Sequence, residues 1–239
     1  MGSPFLTADW RDLIVVNYEV DPSILLPFLP AGTELDLWEG KAFVSLVAFQ
    51  FLDTRVMGLP IPFHRNFEEA NLRFYVKRVD PDETKRGVVF IKELVPRTAI
   101  ALVANTFYGE HYSSVPMSHA IETNGDTRTV FYSWTAGGVV SNLSAQLVGS
   151  PIPLVEESAE AFILEHYWGY AKRTDTKTTE YNVTHPSWHF WEDSEVEVDI
   201  DIAATYGKQW AAALEDSWCS AFVAEGSEIS VFPGGRLSF

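Results

Sequence analysis

The chain has one cysteine, Cys219, in 239 residues. An intramolecular disulfide is therefore excluded, and with it a secreted scaffold held by disulfides. Positive charge is also scarce: Lys and Arg number 17 against 33 Asp and Glu, a formal net charge of −16. Phosphate contacts need a concentrated supply of cations, so nucleic acid is not the expected partner. No apolar run approaches the roughly 20 residues that cross a bilayer, so no membrane partner is expected. The opening MGSPFLTADWRD lacks the basic stretch and apolar core of an export signal, and a cytoplasmic location is the expectation. Linkers rich in Ser and Gly, low-complexity tracts and fixed-period repeats are missing too, which predicts one domain over residues 1–239.

Several chemistries lack their motifs. There is no Gly-x-Ser-x-Gly elbow, no phosphate-binding Gly-Lys-Ser/Thr loop and no dinucleotide fingerprint. The six histidines, His64, His111, His119, His166, His185 and His189, show no recognised metal-ligand spacing. His185 and His189 flank Pro186, which disfavours the helix that would bring both rings to one face. Neither a metal nor a cofactor is expected.

Apolar residues make up 46% of the chain and aromatics 14%, enough for a packed core. LIVVNYEV (13–20), AFVSLVAFQF (42–51), NLRFYVKR (71–78), GVVFIKELVP (87–96) and ALVANTFYG (101–109) read as strands. HYSSVPMSHAIET (111–123) and TRTVFYSWTA (127–136) flank Asn124-Gly125-Asp126, a strong hairpin signal, while Gly137-Gly138 marks a turn or bulge. TDTKTTEYNVTH (174–185) alternates like a strand, and WCSAFVAEG with SEISVFPG (218–234) reads as a closing strand pair. Helices are predicted after Asp21-Pro22, over 158–170 and over 202–216. Many strands and few helices in one unit predict a mainly β, mostly antiparallel protein, a closed or strongly curved barrel without exposed edges.

Two strands carry candidate chemistry. In GVVFIKELVP, simple alternation puts Lys92 with Val88, Phe90 and Leu94, and Glu93 with Val89, Ile91 and Val95. Charges interrupting two apolar faces either snorkel to solvent, the cheaper reading, or face a ligand cavity. In NLRFYVKR, Asn71, Arg73, Tyr75 and Lys77 share one face. A solvated outer face explains this most cheaply; the competing reading has Arg73 and Tyr75 facing a wet barrel interior. IPFHRNFEEA offers His64, Arg65, Glu68 and Glu69 in a Pro-bounded loop, either a lid or a plain connection.

The segments NYEVDPSILLPFLPAGTELDLWEGKAFVSLVAF, IPFHRNFEEANLRFYV, GVVFIKELVPR, EHYWGYAKR, YNVTHPSW and AEGSEISVF, spread in order over nearly the whole chain, resemble the YqjF-like family of uncharacterised proteins. That family is similar to the acetoacetate decarboxylase-like superfamily, a resemblance that implies a closed, mostly antiparallel β-barrel around a central cavity. The resemblance implies a retained arginine at Arg11 and places the superfamily's Arg-Glu-Leu on Lys92, Glu93 and Leu94. The glutamate of the second barrel strand falls near Ser45 and is lost. The Lys-Lys pair that supplies the Schiff base has no counterpart, since no lysine lies between Lys92 and Lys172.

Residues and resemblance together predict a protein that binds a small organic carboxylate or carbonyl compound without Schiff-base lysine chemistry. Arg11 and Arg73 are the candidates for its polar end, with Tyr75 and His64 as further ligand-binding candidates. Two alternatives stay open: an enzyme of lyase or hydrolase type with Glu93, or Lys92, as acid or base, and a non-catalytic interaction scaffold. A homo-oligomer is compatible with the sequence.

Overall fold

Strands apolar on both faces must be covered on both sides, and the first four long strands meet this demand with two separate cores. A computed structural model describes residues 2–97, 111–192, 194–214 and 218–239. Its strands of three or more residues begin with β1 (Leu6–Val20), β2 (Ala42–Val56), β3 (Phe67–Val79) and β4 (Thr84–Val95). They continue with β5 (Tyr112–Ser114), β6 (Met117–Asn124), β7 (Thr127–Ala136), β8 (Val139–Val148), β9 (Trp168–Thr174), β10 (Lys177–Thr184), β11 (His189–Trp191), β12 (Ser194–Asp199), β13 (Trp218–Phe232) and β14 (Arg236–Ser238). The α-helices are α1 (Ala159–Leu164), α2 (Ile202–Tyr206) and α3 (Lys208–Leu214).

Strands β13, β1, β2, β3, β4, β9 and β10 pair in that order, and β10 pairs again with β13 to close a ring. Only the β4 to β9 step of this ring is parallel. A second sheet, in the order β12, β8, β7 and β6, covers the ring from outside. Val16, Leu46, Leu72 and Leu94 pack outward against Tyr132, Trp134 and Leu143 of that sheet and Trp210 of α3. Inward, Val15, Val47, Phe49 and Val88 meet Phe162, Ile163 and Leu164 of α1, with Trp188 and Phe222.

Three one-residue irregularities invert the facing of these strands. An inserted residue moves every side chain beyond it to the other face. In β1 the register shifts between Arg11 and Ile14, with Asp12 at φ 55°. In β2 Asp53 stands at φ 47°, and in β4 Leu72 pairs with Lys92 while Arg73 pairs with Phe90. The residues turned outward are caught by the second layer. Asp12 accepts hydrogen bonds from Arg128 at 2.8 Å and 3.0 Å, and the Tyr132 hydroxyl donates to the Asp12 carbonyl at 2.9 Å.

The closed, mostly antiparallel β architecture is the one expected, and several elements differ in detail. The stretch 158–170 is helical only over α1 and then becomes β9, because parallel pairing with β4 at Gly87 and Val88 claims the backbone of Trp168 and Gly169. The expected strand pair over 218–234 is the single strand β13. Gly226, at φ 76°, is a kink within it, where a Cβ would stand 2.0 Å from the Trp10 carbonyl oxygen. Gly207, at φ 104°, divides the expected helix over 202–216 into α2 and α3. The turn after Asp21 is two short 3-10 segments, Pro22–Ile24 and Leu26–Phe28. Residues 111–123 form β5 and β6, broken around Pro116, while β8 and β12 had no counterpart in the sequence reading. The Asn124 and Gly137-Gly138 turns join β6 to β7 and β7 to β8 as hairpins. The strand expected over 101–109 lies outside the described residues. Among the described residues no helix is long and apolar enough to cross a membrane.

Because the ring joins β1 to β13, urea unfolding is expected as one transition, with far-UV circular dichroism and tryptophan fluorescence coincident. Gly226→Ala should destabilise by well over the roughly 1 kcal/mol that the left-handed conformation alone costs an alanine. Gly40→Ala, also at positive φ but with nothing within 4 Å of its Cβ, is the control and should cost only that amount. Equal losses in the two variants would contradict the close approach of β1 and β13.

Candidate functional site

Inside the ring lies a cavity of about 310 Å³. Its walls are aromatic: Trp10 meets Phe49 edge-on at 5.2 Å between centroids, and Phe51 stacks on Phe67 at 4.7 Å. Polar groups enter from a few positions. On β3 the inward series Phe67, Glu69, Asn71, Arg73, Tyr75 follows the strand period of two. Glu93 enters from β4, Tyr112 from β5, His166 from the segment after α1, and Tyr181 from β10.

Arg73 is 8% exposed. Its Nη2 donates a long hydrogen bond of 3.5 Å to the Ile163 carbonyl, and its guanidinium stands 5.8 Å from the centre of the Tyr75 ring. Its Nε has no hydrogen-bond partner, and it makes no ion pair within 4 Å among the described residues. A guanidinium held out of water with so few close partners is costly.

The carboxyl of Glu69 accepts hydrogen bonds from Asn71 Nδ2 at 3.0 Å and from the Tyr112 hydroxyl at 3.1 Å. Burial nevertheless raises its pKa to about 7, against the pull of those two donors and of Arg73. Tyr112 stands opposite Glu93 across β4 and β5, and Glu93 is 1% exposed. Burial, and then the two carboxyl groups, push the phenol well above its ordinary range. Burial lowers His166 to about 4, although Asp36, 3.5 Å from its Nε2, pulls the other way. Asp36 is itself held by Arg86 at 2.6 Å. Tyr181 reaches the cavity across Gly169, where a Cβ would stand 2.1 Å from the Tyr181 ring. His185 stacks on Trp188 at 4.2 Å, adding a second imidazole to the lining. Among the described residues no group of three or more His, Cys, Asp or Glu could hold a metal ion.

Of the residues singled out in the sequence, Arg73, Glu93 and His64 line this one cavity, together with Glu69 and Asn71. His64 is half-buried in the loop before β3, with its Nδ1 2.8 Å from the Pro62 carbonyl. Tyr75 lies deeper on the same face, its hydroxyl 2.6 Å from Ser45 Oγ. Arg11 is elsewhere: the irregularity at Asp12 turns it outward, where it pairs with Asp9 at 2.9 Å and reaches the Gly226 carbonyl at 3.3 Å. Lys92 also points away, its ammonium bonded to the Thr205 carbonyl of α2. The extra residue in β4 therefore reverses the expected grouping, so that Glu93 shares the inner face with Val88 and Phe90. Sequence reasoning missed Tyr112, His166 and Tyr181, and assigned Glu69 to a loop. The alternation of β3, continued back to Phe67, was the available signal for Glu69.

The fold is that of the acetoacetate decarboxylase-like proteins. The acetoacetate decarboxylase of Legionella pneumophila superposes with a TM-score of 0.67 over 99% of this chain and 88% of that one, at 13% identity. The enduracididine biosynthesis enzyme MppR, solved with HEPES buffer bound, gives 0.69 over 100% and 89% at 14% identity. In its complex with pyruvate, MppR gives 0.65 over 100% and 92% at 13% identity. The chain belongs to the DUF2071 family, described as uncharacterized conserved protein (COG2071), whose model matches residues 7–228. It is 35% identical over 118 residues to "Uncharacterized protein YqjF" of Bacillus subtilis (strain 168), which is 49% of this chain and 46% of that protein. The match thus spans about half the length of that curated relative.

The raised pKa of Glu69 fixes a sign for stability. Its contribution is complete below its unfolded value of 4.5 and is lost as pH rises through about 7. His166 acts oppositely: its contribution is present above 6.5 and is lost as pH falls through about 4. Glu69→Gln removes only the first effect. The unfolding free energy of the wild type minus that of Glu69→Gln should therefore fall steadily from pH 5 to pH 8 in urea titrations. A difference independent of pH would contradict a desolvated Glu69 carboxyl.

Proposed function

We propose that the protein binds a small carboxylic acid with an apolar, aromatic body, its carboxylate on Arg73 and its body against the Trp10 and Phe49 wall. The observation that carries this reading is the buried Arg73 guanidinium, which makes no ion pair among the described residues while lining a mostly apolar cavity. A guanidinium offers paired donors that match a carboxylate, and such bonds are strongest where water is excluded. The volume of about 310 Å³ is at the small end of ligand sites, which fits an acid with a single ring. The pyruvate complex of MppR supports a small carboxylate as the ligand class.

Binding in this reading involves no lysine imine. All seven lysines lie within the described residues, and none lines the cavity. Lys92, the nearest in sequence to the superfamily position, is turned outward and bonded to Thr205. The carboxyl groups of Glu69 and Glu93 at the polar end favour an enzyme over a passive scaffold, since a buried carboxyl with a pKa near neutrality can both give and take a proton. The lone Cys219 fits the reducing cytoplasm in which this reading places the protein.

Titration calorimetry should show binding of phenylacetate and 3-phenylpropanoate and none of phenylacetamide or benzylamine. Arg73→Gln should weaken the acids by about 30-fold, as loss of a charge-assisted hydrogen-bond pair does. The same variant should cost the unliganded protein little stability, because it removes a buried charge that makes no ion pair within 4 Å among the described residues. Undiminished binding in Arg73→Gln would overturn the assignment. Borohydride reduction in the presence of pyruvate or acetoacetate should leave every lysine unmodified by peptide mass spectrometry, and a reduced adduct on Lys92 would restore the imine route.

A further inference from the structure

Resting on the reading of Arg73 as the carboxylate anchor, we infer that the site selects a 2-hydroxy acid over the corresponding 2-oxo acid: the ligand's hydroxyl donates to Nδ1 of His166, and Asp36 sets the tautomer that leaves this nitrogen free to accept.

The His166 side chain is 2% exposed and lines the cavity with Arg73. Neither of its ring nitrogens has a hydrogen-bond partner among the described residues. The ring is nonetheless firmly placed. Its centre lies 4.7 Å from that of Tyr75, it meets Phe162 edge-on at 5.4 Å, and its backbone N–H donates to the Leu164 carbonyl at 3.0 Å. A polar group fixed in an apolar lining without partners is costly, and a ligand that supplies one recovers that cost as affinity.

Asp36 decides which nitrogen carries the proton. A neutral imidazole has one N–H and one lone pair. Burial keeps His166 neutral, with a pKa lowered to about 4. Asp36 Oδ2 stands 3.5 Å from Nε2, long for a hydrogen bond, yet at that distance a carboxylate attracts an N–H and repels a lone pair. Asp36 is ionised: burial raises its pKa, but His166 and Arg86, the latter 2.6 Å away, hold it below the ordinary carboxylate value. Its backbone N–H donates to the Tyr75 carbonyl at 3.0 Å, which fixes it beside β3. The proton therefore belongs on Nε2, and Nδ1 keeps a bare lone pair that only a donor can satisfy. A hydroxyl can donate, whereas a ketone oxygen cannot. A charged amino group could donate too, but it would bring a second cation beside Arg73.

The two anchors share the ring of Tyr75, from whose centre the Arg73 guanidinium stands 5.8 Å. Arg73 also bonds the carbonyl of Ile163, the neighbour of the Leu164 that holds the His166 backbone. A carboxylate on Arg73 thus carries its adjacent carbon toward His166, and the hydroxyl belongs on C2. The Tyr75 hydroxyl is engaged by Ser45 at 2.6 Å and leaves that place to the ligand.

Calorimetry at pH 7 with 3-phenyllactate, 3-phenylpropanoate, phenylpyruvate and phenylalanine tests this, since the four share one skeleton and differ at C2. One enantiomer of 3-phenyllactate should bind about tenfold more tightly than 3-phenylpropanoate, the worth of one buried hydrogen bond. Phenylpyruvate and phenylalanine should bind no more tightly than 3-phenylpropanoate. His166→Phe should still bind 3-phenylpropanoate and lose the preference for the hydroxy acid. A long-range proton–nitrogen NMR correlation, which needs no substitution, should show the His166 proton on Nε2 in the unliganded protein. Equal binding of 3-phenyllactate and 3-phenylpropanoate to the wild type would overturn the role of His166 and leave the carboxylate reading intact. Tighter binding of phenylpyruvate, a proton on Nδ1, or a preference that survives in His166→Phe would overturn it too. Failure to bind any of the acids would remove the Arg73 anchor, and this inference with it.

Discussion

Keeping charge away from water inside a ring of strands is the constraint on which this structure depends. Arg73, Glu69 and Glu93 are all buried in an interior whose other surfaces are mostly Trp, Phe and Leu. In such surroundings each unpaired charge is expensive and each hydrogen bond is strong. Glu69 meets the cost locally, through Asn71 and the Tyr112 phenol. Arg73 meets it only in part, with one long bond to the Ile163 carbonyl and the face of Tyr75. The Nε of Arg73, left without a hydrogen-bond partner in that interior, is the feature from which the proposed carboxylate site is argued.

The irregularities in β1, β2 and β4 decide which charges bear that cost. Without the extra residue in β4, Glu93 would turn into the outer core and Lys92 into the cavity. Without the one in β1, Trp10 and Leu13 could not both line the cavity, and Arg11 and Asp12 could not both lie outside it. The outer layer then provides partners for what is turned away. Arg128 holds Asp12, the Thr205 carbonyl holds Lys92, and His119 meets Glu68 at 2.5 Å. The second sheet and α2 are thus more than a cover, because they neutralise charges that the ring excludes and so help to keep the register that places Glu93 inside.

This also accounts for what could be read from the sequence. Runs rich in Val, Ile and Phe between turn signals announce a closed β fold, because a ring buried on both faces needs such strands. Arg73 was visible as a charge on the regular alternation of β3, which has no irregularity between Phe67 and Tyr75 on its inner side. The facing of Glu93 and Lys92 was not, since an inserted residue leaves no mark in a pattern of period two, and Arg11 was misplaced for the same reason. Glu69 was hidden by the prolines at 60 and 62, which made the start of β3 look like loop. His166 was hidden by spacing that resembles a helix past the true end of α1 at Leu164. Tyr112 is brought to the cavity by the pairing of β5 with β4 at Glu93, a contact that local sequence does not carry.

The most direct measurement of the central claim is a crystal structure of the protein soaked with 3-phenylpropanoate. The account predicts the carboxylate on the Arg73 guanidinium inside the ring, with the phenyl group against Trp10 and Phe49. An empty cavity with the acid bound elsewhere, or an Arg73 that pairs instead with Glu69 or Glu93 in the unliganded crystal, would contradict it.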